Sequence, residues 1–127
     1  MKAENQESVK WLEKAESDLK HAKLSFANED YDWAEFASQQ AAEKALKSVL
    51  IAINFGLIKV HDLTLMARKV KAPNSIVEKC GLLNSFYIIS RYPESEALLD
   101  EFEENAAADA VAAAEEVMQW CKQQLKT

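Results

Sequence analysis

The amino-acid sequence predicts an all-α protein, an antiparallel bundle of about five helices that takes up residues 1–127 as one domain. Apolar residues recur every three or four positions in each long segment, and no segment shows the sustained alternation of a half-buried strand. Only two glycines and two prolines interrupt the chain, while 49% hydrophobic and 28% charged residues supply both a core and a solvated surface. The length suits a single core, and there is neither a Gly- or Ser-rich linker nor an internal repeat.

The first helix is expected from Ser8 to Phe26, where Trp11, Leu12, Ala15, Leu19, Ala22 and Phe26 share one arc and Asn28-Glu29-Asp30 provides a stop. The second begins near Asp30 or Asp32, with Asp32 and Glu35 at capping-box spacing, and runs to about Asn54, with Gly56 ending it. Its face of Ala34, Ser38, Ala41, Ala42, Ala45, Val49 and Ile53 is small and apolar, which suits the centre of a bundle. The opposite stripe carries Gln40, Glu43, Lys44 and Lys47 between Trp33, Phe36 and Ile51, as a groove or subunit contact would require.

A short helix follows from about Asp62 to Val70 and carries much of the basic cluster Lys59, Arg68, Lys69 and Lys71. Beyond Pro73, Ser75 and Glu78 again have capping-box spacing, and Val77, Cys80, Leu83 and Tyr87 form the buried stripe of a fourth helix that ends before Pro93. Residues 94–104 are acidic and read as a loop or helical turn anchored by Leu98, Leu99 and Phe102. The last helix, from about Asn105 to Leu125, turns Ala107, Val111, Ala114, Met118, Cys121 and Leu125 to one side.

The formal net charge of −6 repels polyanions, so unaided binding to a nucleic-acid backbone is disfavoured and any anion site must be local. Cys80 and Cys121 form no C-x-x-C pair and read as buried thiols suited to a reducing cytoplasm. The amino terminus enters charged residues directly, without an apolar signal core, and the apolar run Val49 to Ile58 is about half of a bilayer span. Neither export nor membrane insertion is expected.

No Gly-rich phosphate loop, H-E-x-x-H motif or zinc-spaced Cys/His set occurs, and no cofactor is expected. The acidic run Asp100, Glu101, Glu103 and Glu104 reads as solvated rather than metal-binding. His21 lies on a polar helix side. His61 stands at a helix entrance, where exposed N–H groups favour anions; a cap by Asp62 with His61 packed on a neighbour fits the position equally well. Arg91 and Tyr92 in Ser90-Arg91-Tyr92-Pro93 join a planar five-donor fork to a ring; pairing of Arg91 with Glu43 or an acidic loop residue is the commoner arrangement. Lys44 and Lys47 sit with Glu43 and Gln40 at pairing distance, as on an ordinary solvated face.

Taken together, several segments resemble the HEPN domain family, particularly its small archaeal and bacterial stand-alone members. The resemblance covers nearly the whole chain. It lies in Trp11, Ala15 and Asp18-Leu19, in Tyr31 and Phe36-Ala37-Ser38-Gln39-Gln40-Ala41-Ala42-Glu43-Lys44-Ala45-Leu46-Lys47, in His61-Asp62-Leu63, and in Ser90-Arg91-Tyr92-Pro93. It implies a four-helix up-and-down core, homodimers, nucleotide or RNA transactions and, often, a minimal nucleotidyltransferase made alongside. Many members are RNA-cleaving toxins marked by an arginine followed after four to six residues by a histidine. Here the positions after Arg91 are Glu96, Ala97 and Leu98, so that signature is missing.

Three readings follow. The first is an accessory domain that binds a nucleotide or partners a nucleotidyltransferase, with Lys44, Lys47 and Arg91 on phosphates and Tyr92 or His61 on the rest. The second is a metal-independent endoribonuclease toxin of a toxin–antitoxin pair, with Arg91 and His61 as catalytic candidates. The third is a structural dimerisation module.

Overall fold

The computed structural model describes residues 6–56, 61–89 and 103–126. Five helices occur among them: α1 (Gln6–Ala27), α2 (Tyr31–Ala52), α3 (Leu63–Lys69), α4 (Asn74–Ile89) and α5 (Glu103–Gln124). Cross-helix contacts fix their directions. Ser8 reaches the Ser48 carbonyl and Lys44 reaches Asp18, so α2 runs opposite to α1. Lys23 pairs with Glu115 and Lys122 with Glu16, so α5 also opposes α1. The bundle is therefore antiparallel, as expected.

α2 is the central helix and packs against all four others. Its small residues Ala34, Ala41, Ala42 and Ala45 are fully buried, as are Ala15 and Ala22 of α1 and Ala107, Ala110 and Ala114 of α5. Small side chains at these positions let helix axes approach closely. Leu46 and Leu50 of α2, Met66 of α3, Leu83 of α4 and Met118 of α5 fill the remaining interior. Each such side chain contributes roughly 1.5–3 kcal/mol when withdrawn from water. Cys80 and Cys121 are buried free thiols within this core. Among the described residues, no helix is long and apolar enough to cross a membrane.

Three helices end in the same way. The N–H of Asp30 bonds to the Ser25 carbonyl, that of Phe55 to Leu50, and that of Ala72 to Ala67; the residue before each donor, Glu29, Asn54 or Lys71, has a positive φ of 64, 62 or 59°. This is the Schellman closure, which satisfies carbonyls that have lost their helical partners. It stops α2 at Ala52, with Asn54 rather than Gly56 as the terminating left-handed residue, because a polar Asn tolerates that conformation. Ile53 consequently leaves the core face and is exposed.

Both capping boxes read from the sequence are displaced. Asp30 occupies the N-cap position of α2 without a side-chain cap bond, Asp32 lies inside the first turn, and Glu35 is buried. α4 opens on the Pro73 carbonyl, which accepts from Ile76 and Val77, so Ser75 is already helical. The polar stripe of α2 is also altered, since Glu43 and Ile51 are buried against the rest of the bundle. α5 starts at Glu103, two residues before the expected Asn105, and most of the expected acidic loop lies outside the described residues.

Candidate functional site

The site forms where α2 meets the entrance of α3. Asp62 caps α3, its Oδ1 accepting from the N–H groups of Thr64 and Leu65 at 3.0 and 3.3 Å and from Thr64 Oγ1 at 2.6 Å. Asn84 of α4 donates to the same Asp62 oxygen at 3.0 Å, while its own Oδ1 accepts from the Leu63 N–H at 2.8 Å. This bracket ties the entrance of α3 to α4 and fixes the backbone next to His61. Hydrogen bonds led by that from Thr64 lower the Asp62 pKa below the ordinary carboxyl range.

Held there, His61 places Nδ1 2.8 Å from Oε1 of Glu43, which also accepts from Gln39 Nε2 at 3.3 Å. The other oxygen of Glu43 accepts from Lys47 Nζ at 2.9 Å. Glu43 is only 3% exposed, so burial alone would push its carboxyl up; the bonds from His61 and Lys47 and the positive charge of Lys47 outweigh that, and its pKa is lowered. An ionised carboxylate only accepts, so the His61 nitrogen that faces it, Nδ1, carries a proton and donates. The imidazole is 51% exposed. Lys47 lies 5.3 Å from the Trp11 ring centroid, a cation over an aromatic face that fixes its ammonium from the α1 side.

One carboxylate thus orients two cationic or proton-exchanging groups. A charged imidazole and the Lys47 ammonium about one carboxylate carry a net positive charge, which suits an anion. Among the described residues, no three His, Cys, Asp or Glu side chains are placed to hold a metal ion.

His61 and Lys47 come together through Glu43. Lys44 goes elsewhere, to Asp18 Oδ2 at 2.6 Å, beside a groove between α1 and α2. Arg91 and Tyr92 lie outside the described residues. In the sequence Glu43 shows only a pairing role. Its i,i+4 spacing to Lys47 was visible, but the contact with His61, 18 residues away, has no local signature. Trp11 appeared simply as a core residue.

The family model described as HEPN domain matches residues 8–124. A protein of Methanocaldococcus jannaschii named "Putative toxin MJ1304" is 29% identical over 91% of this chain and 86% of its own length. Among solved structures, TT1696 from Thermus thermophilus is 30% identical with a TM-score of 0.84, covering 95% of this chain and all of its own. The archaeal HEPN homologue ST0689 is 27% identical with a TM-score of 0.79, covering 94% and 98%. Matching architecture, similarity along nearly the full length and a family match from α1 to α5 lead to one conclusion: this chain belongs to the HEPN domain family.

Proposed function

We propose that this chain is a phosphate-binding HEPN accessory protein of the cytoplasm, acting on a nucleotide as the helical partner of a minimal nucleotidyltransferase. The supporting observation is the Glu43, His61 and Lys47 trio, in which a buried carboxylate aims a half-exposed imidazole and an ammonium. Arg91 supplies a further planar fork in this reading, and Tyr92 a ring. A homodimer completes the site by bringing a second copy of these groups alongside. Lys44 belongs to the ligand-binding set from its position beside the α1 and α2 groove.

Melting temperatures across nucleoside mono-, di- and triphosphates test this. A ligand at a hundred times its Kd stabilises the folded state by about 2.7 kcal/mol, which appears as a rise of several degrees. The rise is expected for the native chain and is lost in Lys47→Ala and in His61→Ala. A flat response across the panel contradicts the ligand reading.

A second reading has a specific observation in its favour. The toxin designation of the Methanocaldococcus relative, together with an imidazole oriented by a carboxylate, supports metal-independent RNA cleavage with His61 exchanging the proton. Incubation with RNA in chelator decides it. Cleavage that disappears in both His61→Ala and Arg91→Ala favours the ribonuclease, and intact RNA removes it.

A further inference from the structure

The Glu43 carboxylate has a third partner, and that one is closed to solvent. Gln39 is fully buried on α2 and is among the largest side chains so enclosed. A primary amide withdrawn from water costs free energy unless its oxygen and nitrogen are both hydrogen-bonded, and Met or Leu would fill a similar volume without that cost. Both atoms are engaged. Gln39 Oε1 accepts from Gln40 Nε2 at 2.6 Å; Gln39 Nε2 donates at 3.3 Å to Glu43 Oε1, the oxygen that His61 Nδ1 meets at 2.8 Å. The nitrogen end of the amide faces Glu43 because an ionised carboxylate only accepts.

Gln39, Glu43 and Lys47 follow one another at i,i+4 spacing, so they stand in line along one side of α2. The carboxylate is held from the preceding turn by an amide and from the following turn by an ammonium, one oxygen to each. His61 bonds to the oxygen on the Gln39 side. Take the amide away, and the charge of Lys47 draws the carboxylate round toward itself, which leaves a half-exposed imidazole without a fixed acceptor. We infer that Gln39 is a positioning residue for His61: enclosed by the bundle, it touches no ligand and acts by keeping Glu43 Oε1 turned toward the imidazole Nδ1. The importance of His61 to binding rests on the phosphate reading above; the orientation of its ring does not.

The ring nitrogen resonances of His61, recorded on the full chain in mildly alkaline buffer where the imidazole is neutral, show which nitrogen carries the proton. In the native chain that is Nδ1. Gln39→Met keeps the volume and removes the amide, and the ratio of Nδ1-bound to Nε2-bound proton is expected to fall about threefold or more. Gln40→Ala, at a partly exposed position, withdraws the donor from Gln39 Oε1 and is expected to shift the ratio the same way by less; it carries the test where Gln39→Met fails to fold. In a Glu43→Ala background, Gln39→Met is expected to add no further change, because its effect passes through that carboxylate. A Gln39→Met chain that loses stability while the His61 resonances stay in place overturns the inference, since Gln39 is then a core residue and nothing more. So does a further shift in the Glu43→Ala background. Inorganic phosphate titrated into native and Gln39→Met chains forms a separate arm, with binding about threefold weaker expected in the variant. If phosphate fails to bind the native chain while the proton ratio responds to Gln39, the phosphate reading falls and the positioning role stands; if phosphate binds and the ratio ignores Gln39, the reverse holds.

Discussion

Glu43 is the residue on which most of the site depends. Replacing it with Ala leaves His61 without its orienting acceptor and the buried Gln39 amide and largely buried Lys47 ammonium without this carboxylate, and a buried donor deprived of its acceptor costs about 1–3 kcal/mol. Urea unfolding of Glu43→Ala is expected to show a loss of that size, and Glu43→Gln, which keeps shape and one acceptor, a smaller one. The same carboxyl sets an acid limit. Its folded pKa lies below the ordinary 4.5, so the folded state binds fewer protons than the unfolded chain; its contribution is complete above about pH 4.5 and is lost as pH falls through the lowered value. Asp62 acts in the same sense from 3.8 downward. Stability measured from pH 6 to pH 3 is therefore expected to decline, and Glu43→Gln to flatten that decline. The central role of Glu43 was hard to see in the sequence because its two bonds differ in kind: one follows helical spacing, and the other depends on how the segment leading into α3 is held by Asp62 and Asn84.

At the scale of elements, periodicity carried the helices and their order, because each long segment states its buried arc within a few turns. Helix ends were less legible. Asp32 with Glu35 and Ser75 with Glu78 have capping spacing, yet the helices start earlier, on Asp30 and on the Pro73 carbonyl, since neither motif records where the preceding chain enters. Glu29 and Lys71 hold left-handed positions that ordinarily favour glycine. Glu29→Gly and Lys71→Gly are each expected to stabilise by up to about 1 kcal/mol, read as a higher urea midpoint at unchanged slope. Ala45 is fully buried on α2, where a larger side chain must displace close-packed neighbours. Ala45→Leu is expected to cost about 1–3 kcal/mol through overpacking, and a stable variant would contradict the close packing assigned to α2.

Across the whole molecule, the charge of −6 works against long-range attraction of any polyanion, so binding must come from a few converging groups. The bundle provides such convergence by packing α2 against α1, α3, α4 and α5, which gathers Trp11, Glu43, Lys47 and His61 from separate segments. The family was readable from the sequence because its motifs lie in local runs such as Gln39 to Lys47 and His61-Asp62-Leu63. The sorting of Lys44 from Lys47 was not, since it depends on which α1 residue each lysine meets. Side-chain NMR of His61 during titration with a nucleoside monophosphate tests the proposed phosphate site most directly. Saturable movement of the ring resonances in the native chain, abolished in Lys47→Ala, is the expected result; a His61 signal that stays still while the nucleotide binds elsewhere, or does not bind, contradicts it.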